Sequence, residues 1–494
     1  MITLYLLARY KPKWAAAWLA LASIVFYGGW SIYYIPLLLG SITINFFFGK
    51  KISALSAAQQ LLKVRALLFC AVTTNLLILC YYKYLYFLVQ TISDVTTIPL
   101  SVTQSQLPLG ISFFTFTQIA FLVDASRREC EEYDICRYGL FVTYFPHLIA
   151  GPIFHHKEMM SQFTKPRAFN FNAYDISVGF SIFIIGLSKK VLIADRIAPI
   201  ADSIFNVSPA ITLTQAEAWY GALAYTLQIY FDFSGYSDMA VGLGRMMGVR
   251  LPLNFSSPYK ASSIILFWRC WHMTLSRFLR DYLYFALGGN RLGRARRYLN
   301  LMITMLLGGL WHGAGWNFVL WGGLHGLYLV VNHGWLAIVG THQGQLARAV
   351  GWLTTFLAVT VAWVFFRATS PEDALRLLTA MAGGNGICLP EFLAAPLRDM
   401  LGDAVINARG TFHNALFDLQ ASSMYIAFGM AVVLLLPNSQ ELLARHTPAL
   451  GQVEAAPVWL QWYPNWLWGT VLGVLLALCL ARMGGESPFL YFRF

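Results

Sequence analysis

Apolar runs follow one another along almost the whole chain, and polar residues gather in the joints between them. The runs fall at roughly 14–30, 32–48, 64–92, 107–124, 138–154, 174–194, 213–231, 236–248, 262–286, 298–312, 315–334, 349–367, 422–437 and 458–481. A helix needs about 20 apolar residues to cross the hydrocarbon of a bilayer. The pattern predicts an all-α, polytopic integral membrane protein with about 11 transmembrane helices. The shorter runs are then broken, re-entrant or interfacial helices. From Tyr298 to Ala347 there is no Asp, Glu, Lys or Arg over 50 residues, enough for two crossings. No period of 20–50 residues repeats, which argues against a solenoid and against a transporter built from two halves. Residues 1–494 read as one transmembrane domain. A polar, basic connection occupies 155–172, and an extramembrane or interfacial insertion occupies 383–420.

Composition agrees with this reading: 57% of residues are hydrophobic and 12% charged, about half the charged share of a soluble protein. The net charge of +12 sits at the ends of apolar runs, at Arg9 to Lys13, Lys50-Lys51, Lys189-Lys190 and Arg291 to Arg297. Positive loops on the cytoplasmic side, touching anionic lipid, account for it without nucleic acid. The apolar run after Trp14 has no cleavage site followed by a polar start, so it reads as retained helix. Seven cysteines are scattered, without the spacing of a metal site or a disulfide framework.

Ionisable groups inside apolar runs are expensive, and each is a candidate for function. Three clusters stand out. In the first, Asp232 and Asp238 flank Ser234, Gly235 and Tyr236. A break at Gly235 would let the acids satisfy helix ends or pair with buried arginines; otherwise they line a site. The second runs through Trp271 and His272 to Ser276, Arg277, Arg280, Asp281 and Tyr282, read as one short amphipathic helix. It is either a cavity wall or an interfacial helix with snorkelling arginines. The third is Trp311-His312 among glycines, followed by Asn317. Imidazole takes and returns a proton near neutral pH, and no charge lies near His312 in sequence. That combination marks His312 as a catalytic candidate. His325 points away from it unless Gly313 or Gly315 bends the path. Arg291, Arg294, Arg296 and Arg297 either set topology alone or attract the phosphates of a donor. There is no Gly-x-Ser-x-Gly elbow, no Walker loop and no dinucleotide fingerprint.

At these clusters the sequence resembles the membrane-bound O-acyltransferase superfamily, in particular its bacterial branch of alginate O-acetyltransferase membrane subunits. The teichoic-acid D-alanyl transferases are more distant. The resemblance runs from about Tyr10 to the C-terminus. It is carried by Leu107 to Phe113, Phe145 to Pro152, Tyr230 to Ala240, Arg280 to Tyr284, Gly308 to Ala314, Trp363 to Ala368 and the terminal Tyr491-Phe492. It implies helices around a central tunnel, with His312 as the catalytic histidine and His272 as a second histidine lining the tunnel. It also implies acetyl-CoA as a cytoplasmic donor substrate rather than a bound cofactor, and a location in the bacterial inner membrane. The acceptor would be an exported polysaccharide such as alginate or cellulose, reached through a periplasmic partner of the SGNH-hydrolase type. D-alanyl or lipid acyl transfer, a secondary transporter and a scaffold of a polysaccharide synthase are the competing readings. Cys270 stands where the alginate-type motif has a second arginine. Only Met1 to Ala8 precede the first basic cluster, where the family has a longer apolar helix.

Overall fold

The computed structural model describes residues 1–130, 134–149, 151–165, 168–340, 344–385, 419–451, 453–484 and 489–490. Most of the 383–420 insertion and the terminal Tyr491-Phe492 therefore lie outside the described residues. The architecture is all-helical, as the pattern predicts. An isolated bridge of Pro252 to Leu450 is the one extended pairing among the described residues. Four helical stretches are long and apolar enough to cross a membrane: Ile32–Ala57, Leu61–Thr96, Ala173–Phe205 and Gln345–Arg367. Their outer faces carry bare apolar side chains such as Leu62, Phe69 and Val350, which is stable only against lipid.

In chain order, α1 (Ile2–Tyr10) packs on α2 (Pro12–Trp30), followed by α3 (Ile35–Ala57) and α4 (Leu61–Leu79). A π-turn at Cys80–Tyr84 joins α4 to α5 (Leu85–Thr96). Then come α6 (Ile111–Ser126), α7 (Ile135–Thr143), α8 (Phe145–Leu148) and α9 (His156–Phe163). The last of these lies within the polar connection 155–172 and buries His156, Met159, Met160 and Phe163. Next are α10 (Ala173–Ser188), a second π-turn at Lys189–Ala194, α11 (Asp195–Phe205) and α12 (Gln215–Met246).

The core is organised on α12. Thr214 and Glu217 form a capping box that starts it, satisfying two backbone donors that have no partner in the helix. It then runs unbroken for 32 residues, so the expected break at Gly235 does not occur. The glycine serves close approach instead. A Cβ on Gly235 would lie 2.7 Å from the Gly186 carbonyl oxygen, and one on Gly186 would lie 2.6 Å from that of Gly235. Small residues let membrane helices pack backbone to backbone in this way.

The apolar run 262–286, which holds the cluster from Trp271 to Tyr282 read as one short amphipathic helix, is three pieces. They are α13 (Ile264–Cys270), α14 (Met273–Phe278) and a third π-turn at Leu279–Tyr284. The break falls at His272, which adopts the left-handed conformation with φ 42° and ψ 52°. A non-glycine residue holds that conformation only where its surroundings enforce it. α15 (Gly293–His312) and α16 (Trp316–Val339) form a tight hairpin turned at Gly313–Gly315. α17 (Gln345–Arg367), α18 (Pro371–Met381), α19 (Leu419–Leu435), α20 (Ser439–Leu442) and α21 (Trp466–Arg482) complete the chain.

Candidate active site

His312 is the last residue of α15, so the carbonyls of its final turn have no partners within the helix. Two residues of the Cys80–Tyr84 π-turn supply them. Tyr84 donates its hydroxyl to the Leu310 carbonyl at 3.0 Å, and Lys83 Nζ donates to Trp311 O at 2.6 Å and His312 O at 3.0 Å. Lys83 Nζ also lies 3.5 Å from Ser112 Oγ. A cation at a helix C-terminus meets the negative end of the helix dipole, so one lysine fixes the place where α15 ends. Lys83 is a site residue that the three sequence clusters miss, although a lysine inside the apolar run 64–92 carries its own signal, the cost of a charge there.

The His312 ring is enclosed by aromatics: Trp311 at 4.9 Å between centroids, Trp321 at 5.1 Å and Phe366 at 5.2 Å. On one side His312, Trp311 and Lys83 line a cavity of about 290 Å³ together with Ser112 and Phe113. His272 is fully buried, with its ring centre 6.4 Å from that of His312. Its Nδ1 contacts Asn254 Oδ1 at 3.0 Å, and its Nε2 has no hydrogen-bond partner. The glycine turn brings α16 back along α15, so His325 lies one tryptophan away from His312: Trp321 is 4.7 Å from His325 and 5.1 Å from His312. The bend that would be needed to bring His325 inward is present. Trp268 Nε1 donates to His325 Nδ1 at 3.2 Å.

The other expected residues divide by position. Trp271 packs among Phe267, Phe255 and Trp363, in the aromatic mass behind His272. Ser276 donates to the Trp271 carbonyl at 3.3 Å. Asn317 bonds the Ala368 carbonyl and faces a separate cavity of about 450 Å³ with Phe366 and Ser370.

Asp232 and Asp238 do not join the histidines. Lys190 meets Asp232 at 2.7 Å and Asp195 at 2.8 Å, and Lys189 meets Asp238 at 2.6 Å. Ser439 and Gln440 complete the shell of Asp238. Their partners are lysines rather than the arginines expected, and Lys189-Lys190 is interior rather than a basic loop. Tyr236 stacks on Phe489 at 4.6 Å.

Arg280, Asp281 and Tyr282 lie toward the other end of α15. Tyr282 donates to Asp124 at 2.8 Å and its hydroxyl is 2.7 Å from His155 Nδ1. Arg280 pairs with Asp281, and Arg277 makes a two-pronged bond to Glu158. Asp281, Tyr282, His155, Arg127 and Arg291 line a cavity of about 470 Å³, while Arg294 and Arg296 are exposed at the start of α15. Arg297 is half-buried over the Tyr298 ring. Between this cavity and His312 runs a file of rings. Tyr282 lies 5.0 Å from Phe278, Phe278 stacks on Phe116 at 4.4 Å, and Phe116 stacks on Trp311 at 5.2 Å.

The model of the membrane-bound O-acyltransferase family matches residues 57–372, a span that includes both histidines and all three π-turns. The chain belongs to the membrane-bound O-acyltransferase family. It is therefore a membrane-embedded acyltransferase, which displaces the transporter and scaffold readings. A peptidoglycan O-acetyltransferase of Helicobacter pylori is 41% identical over 434 residues, covering 81% of each chain. A probable alginate O-acetylase of Pseudomonas aeruginosa is 36% identical over 502 residues, covering 96% of this chain and 94% of its own. A teichoic acid D-alanyltransferase of Bacillus subtilis is 28% identical over 235 residues, covering 45% of this chain and 58% of its own. In this chain His312 lies beside a cavity with His272 behind it, whereas the carboxylates of α12 are closed into ion pairs with Lys189 and Lys190.

Proposed function

We propose that this protein transfers an acetyl group from cytoplasmic acetyl-CoA to a hydroxyl acceptor, for O-acetylation of an exported or cell-wall polysaccharide, in the bacterial inner membrane. The observation that carries the reading is His312. It is held at the capped end of α15, opens on a cavity, and has a second histidine 6.4 Å from it between ring centres. His312 takes the acceptor's hydroxyl proton as that oxygen attacks the thioester carbonyl. The tetrahedral intermediate then collapses with cleavage of the carbon–sulfur bond, and the coenzyme A thiolate takes the proton back from His312. Ester and free thiol are the products. The aromatic walls keep bulk water from hydrolysing the thioester.

The donor enters by the cavity at Arg291, and its phosphates rest near the arginines that open α15. From Arg294 to His312 the helix spans about 27 Å at 1.5 Å per residue, so the thioester end of the donor reaches inward along the file from Tyr282 to Trp311. The relatives named for alginate and peptidoglycan O-acetylation support acetyl as the group and a polysaccharide as the destination. A periplasmic acetyltransferase of the SGNH-hydrolase type would carry the group onward. The D-alanyltransferase relatives favour a second reading, aminoacyl transfer, over a smaller share of the chain. Membrane vesicles given radiolabelled acetyl-CoA test the proposal. Label should leave coenzyme A with the wild type and stay on it with His312→Ala; equal transfer by the variant removes His312 from the chemistry.

A further inference from the structure

Asn254 lies on the connection between α12 and α13, and four groups converge on its side chain. Its Oδ1 is 3.0 Å from His272 Nδ1, 3.0 Å from Thr274 Oγ1 and 3.5 Å from the Thr274 backbone nitrogen. Its Nδ2 donates to Ser237 Oγ at 3.1 Å. The direction of each bond follows from what the groups can give. The Ile153 backbone N–H donates to Thr274 Oγ1 at 3.0 Å, so the threonine hydroxyl is free to send its own proton to Asn254. The Thr274 backbone N–H can only donate. Turning the amide over would set its N–H groups against that donor, so the oxygen belongs on this side. With Oδ1 accepting, the proton of a neutral His272 ring must sit on Nδ1. Its Nε2 is then a bare lone pair, buried and without a hydrogen-bond partner. The main chain is pinned at the same place: Met273 N donates to Asn254 O at 2.9 Å, and Ser256 N to Cys270 O at 3.0 Å.

We propose that Asn254, braced by Thr274 and Ser237, is a positioning residue that locks His272 as the Nδ1–H tautomer, so that His272 meets substrate only as a hydrogen-bond acceptor. This rests on the reading of the histidine pair as the reaction site. It also redistributes the roles there. A ring with no proton on Nε2 cannot donate to the developing oxyanion. The reacting hydroxyl has one proton, and His312 takes it. The group that meets His272 is therefore a second O–H or N–H on a substrate, on the donor beside its thioester or on the acceptor beside its reacting hydroxyl. At metal-binding histidines a partner that orients the imidazole in this way is typically worth about 10–100-fold when removed, and the same scale is expected here.

Nitrogen NMR of the full chain in lipid bilayers, labelled with ¹⁵N-histidine, reads the tautomer directly, with His272→Gln identifying the signal by subtraction. The wild type should show Nδ1 protonated and Nε2 unprotonated at neutral pH. Asn254→Leu should populate both tautomers and lower turnover of acetyl-CoA about 10–100-fold. Asn254→Asp keeps an acceptor toward both His272 and Thr274, and should restore the signature and bring turnover back to within a few-fold. Thr274→Val loosens the brace and should do part of what Asn254→Leu does, which keeps the test open if the leucine variant does not fold. A protonated Nε2 in the wild type overturns the proposal, as does an unchanged signature and turnover in the folded Asn254→Leu or Thr274→Val variant. Transfer by His312→Ala would instead remove the reaction-site reading and leave the tautomer result standing.

Discussion

Two faces of α12 meet buried polar groups, and they finish them differently. On one face Lys189 and Lys190 reach Asp238 and Asp232 at 2.6 and 2.7 Å, with Asp195, Ser439 and Gln440 filling the remaining bonds. On the other, Phe233 touches the edge of His272 and Ser237 supports Asn254. There the imidazole rings stand 6.4 Å apart between centres, His312 lines a cavity, and Nε2 of His272 is bonded to nothing. The first group consumes its own charge, because an unpaired ion in this setting costs several kcal/mol. In the second, His272 keeps an acceptor in reserve on Nε2, which costs far less on a neutral ring than on an ion. A polar residue in a membrane helix is thus informative less by its presence than by whether the fold leaves it unfinished.

The sharpest way to break this contrast is His312→Ala. General base catalysis is worth about 10²–10⁴, so transfer of label from acetyl-CoA should fall by that factor while the thermal unfolding temperature stays within a few degrees. The reverse pattern is expected on the other face. Asp238→Ala leaves Lys189 buried and unpaired, and should cost about 3–5 kcal/mol of stability, read as an earlier thermal unfolding in detergent. The double variant Lys189→Met with Asp238→Leu should recover most of it, with turnover per folded molecule close to wild type. Loss of turnover in the folded double variant would place that cluster in the chemistry and erase the distinction.

The sequence patterns carried the class of fold far better than its joints. Apolar run lengths are enough for an all-helical membrane protein, because the bilayer admits only helices and closed barrels and runs of about 20 residues fit helices. The three π-turns are a different matter. Cys80–Tyr84, Lys189–Ala194 and Leu279–Tyr284 each insert a residue into an otherwise helical pattern, and no residue type announces such a bulge. Yet these turns deliver Lys83 and Tyr84, then Lys189 and Lys190, then Asp281 and Tyr282. His312 was legible because its setting is costly whatever the partners. That Asp232 and Asp238 would find buried cations was legible as well, but not which ones, since Lys190 and Lys189 lie more than 40 residues away in sequence and read as a basic loop.

Lys83 tests whether capping matters to the unfinished face. Its Nζ holds the last carbonyls of α15 at 2.6 and 3.0 Å, and a shift of about 1 Å in a reacting group can cost 100-fold. Lys83→Met should lower kcat by 10- to 100-fold, about as much as that displacement implies, with little change in KM for acetyl-CoA. Lys83→Arg, which keeps the donors, should recover part of the loss. A variant that raises KM with kcat unchanged would make Lys83 a substrate-binding group instead.

The smallest effect belongs to the far end of α15. Arg294 and Arg296 are exposed, and exposed charges act through a field that salt screens within about 8 Å at physiological ionic strength. If they draw in the donor's phosphates, Arg294→Gln with Arg296→Gln should raise KM for acetyl-CoA a few-fold at low salt and leave kcat unchanged. At high salt the two proteins should converge, because the wild type loses the same attraction. The alternative role is topological: the positive-inside preference needs basic residues near the helix end, and Lys would then serve as well as Arg. The Arg294→Lys, Arg296→Lys protein should keep both orientation and low KM. A KM that is unmoved at low salt in correctly inserted glutamine variant would confine these arginines to setting the direction of α15, and leave the donor to be held by the cavity of Arg127, His155 and Arg291 alone.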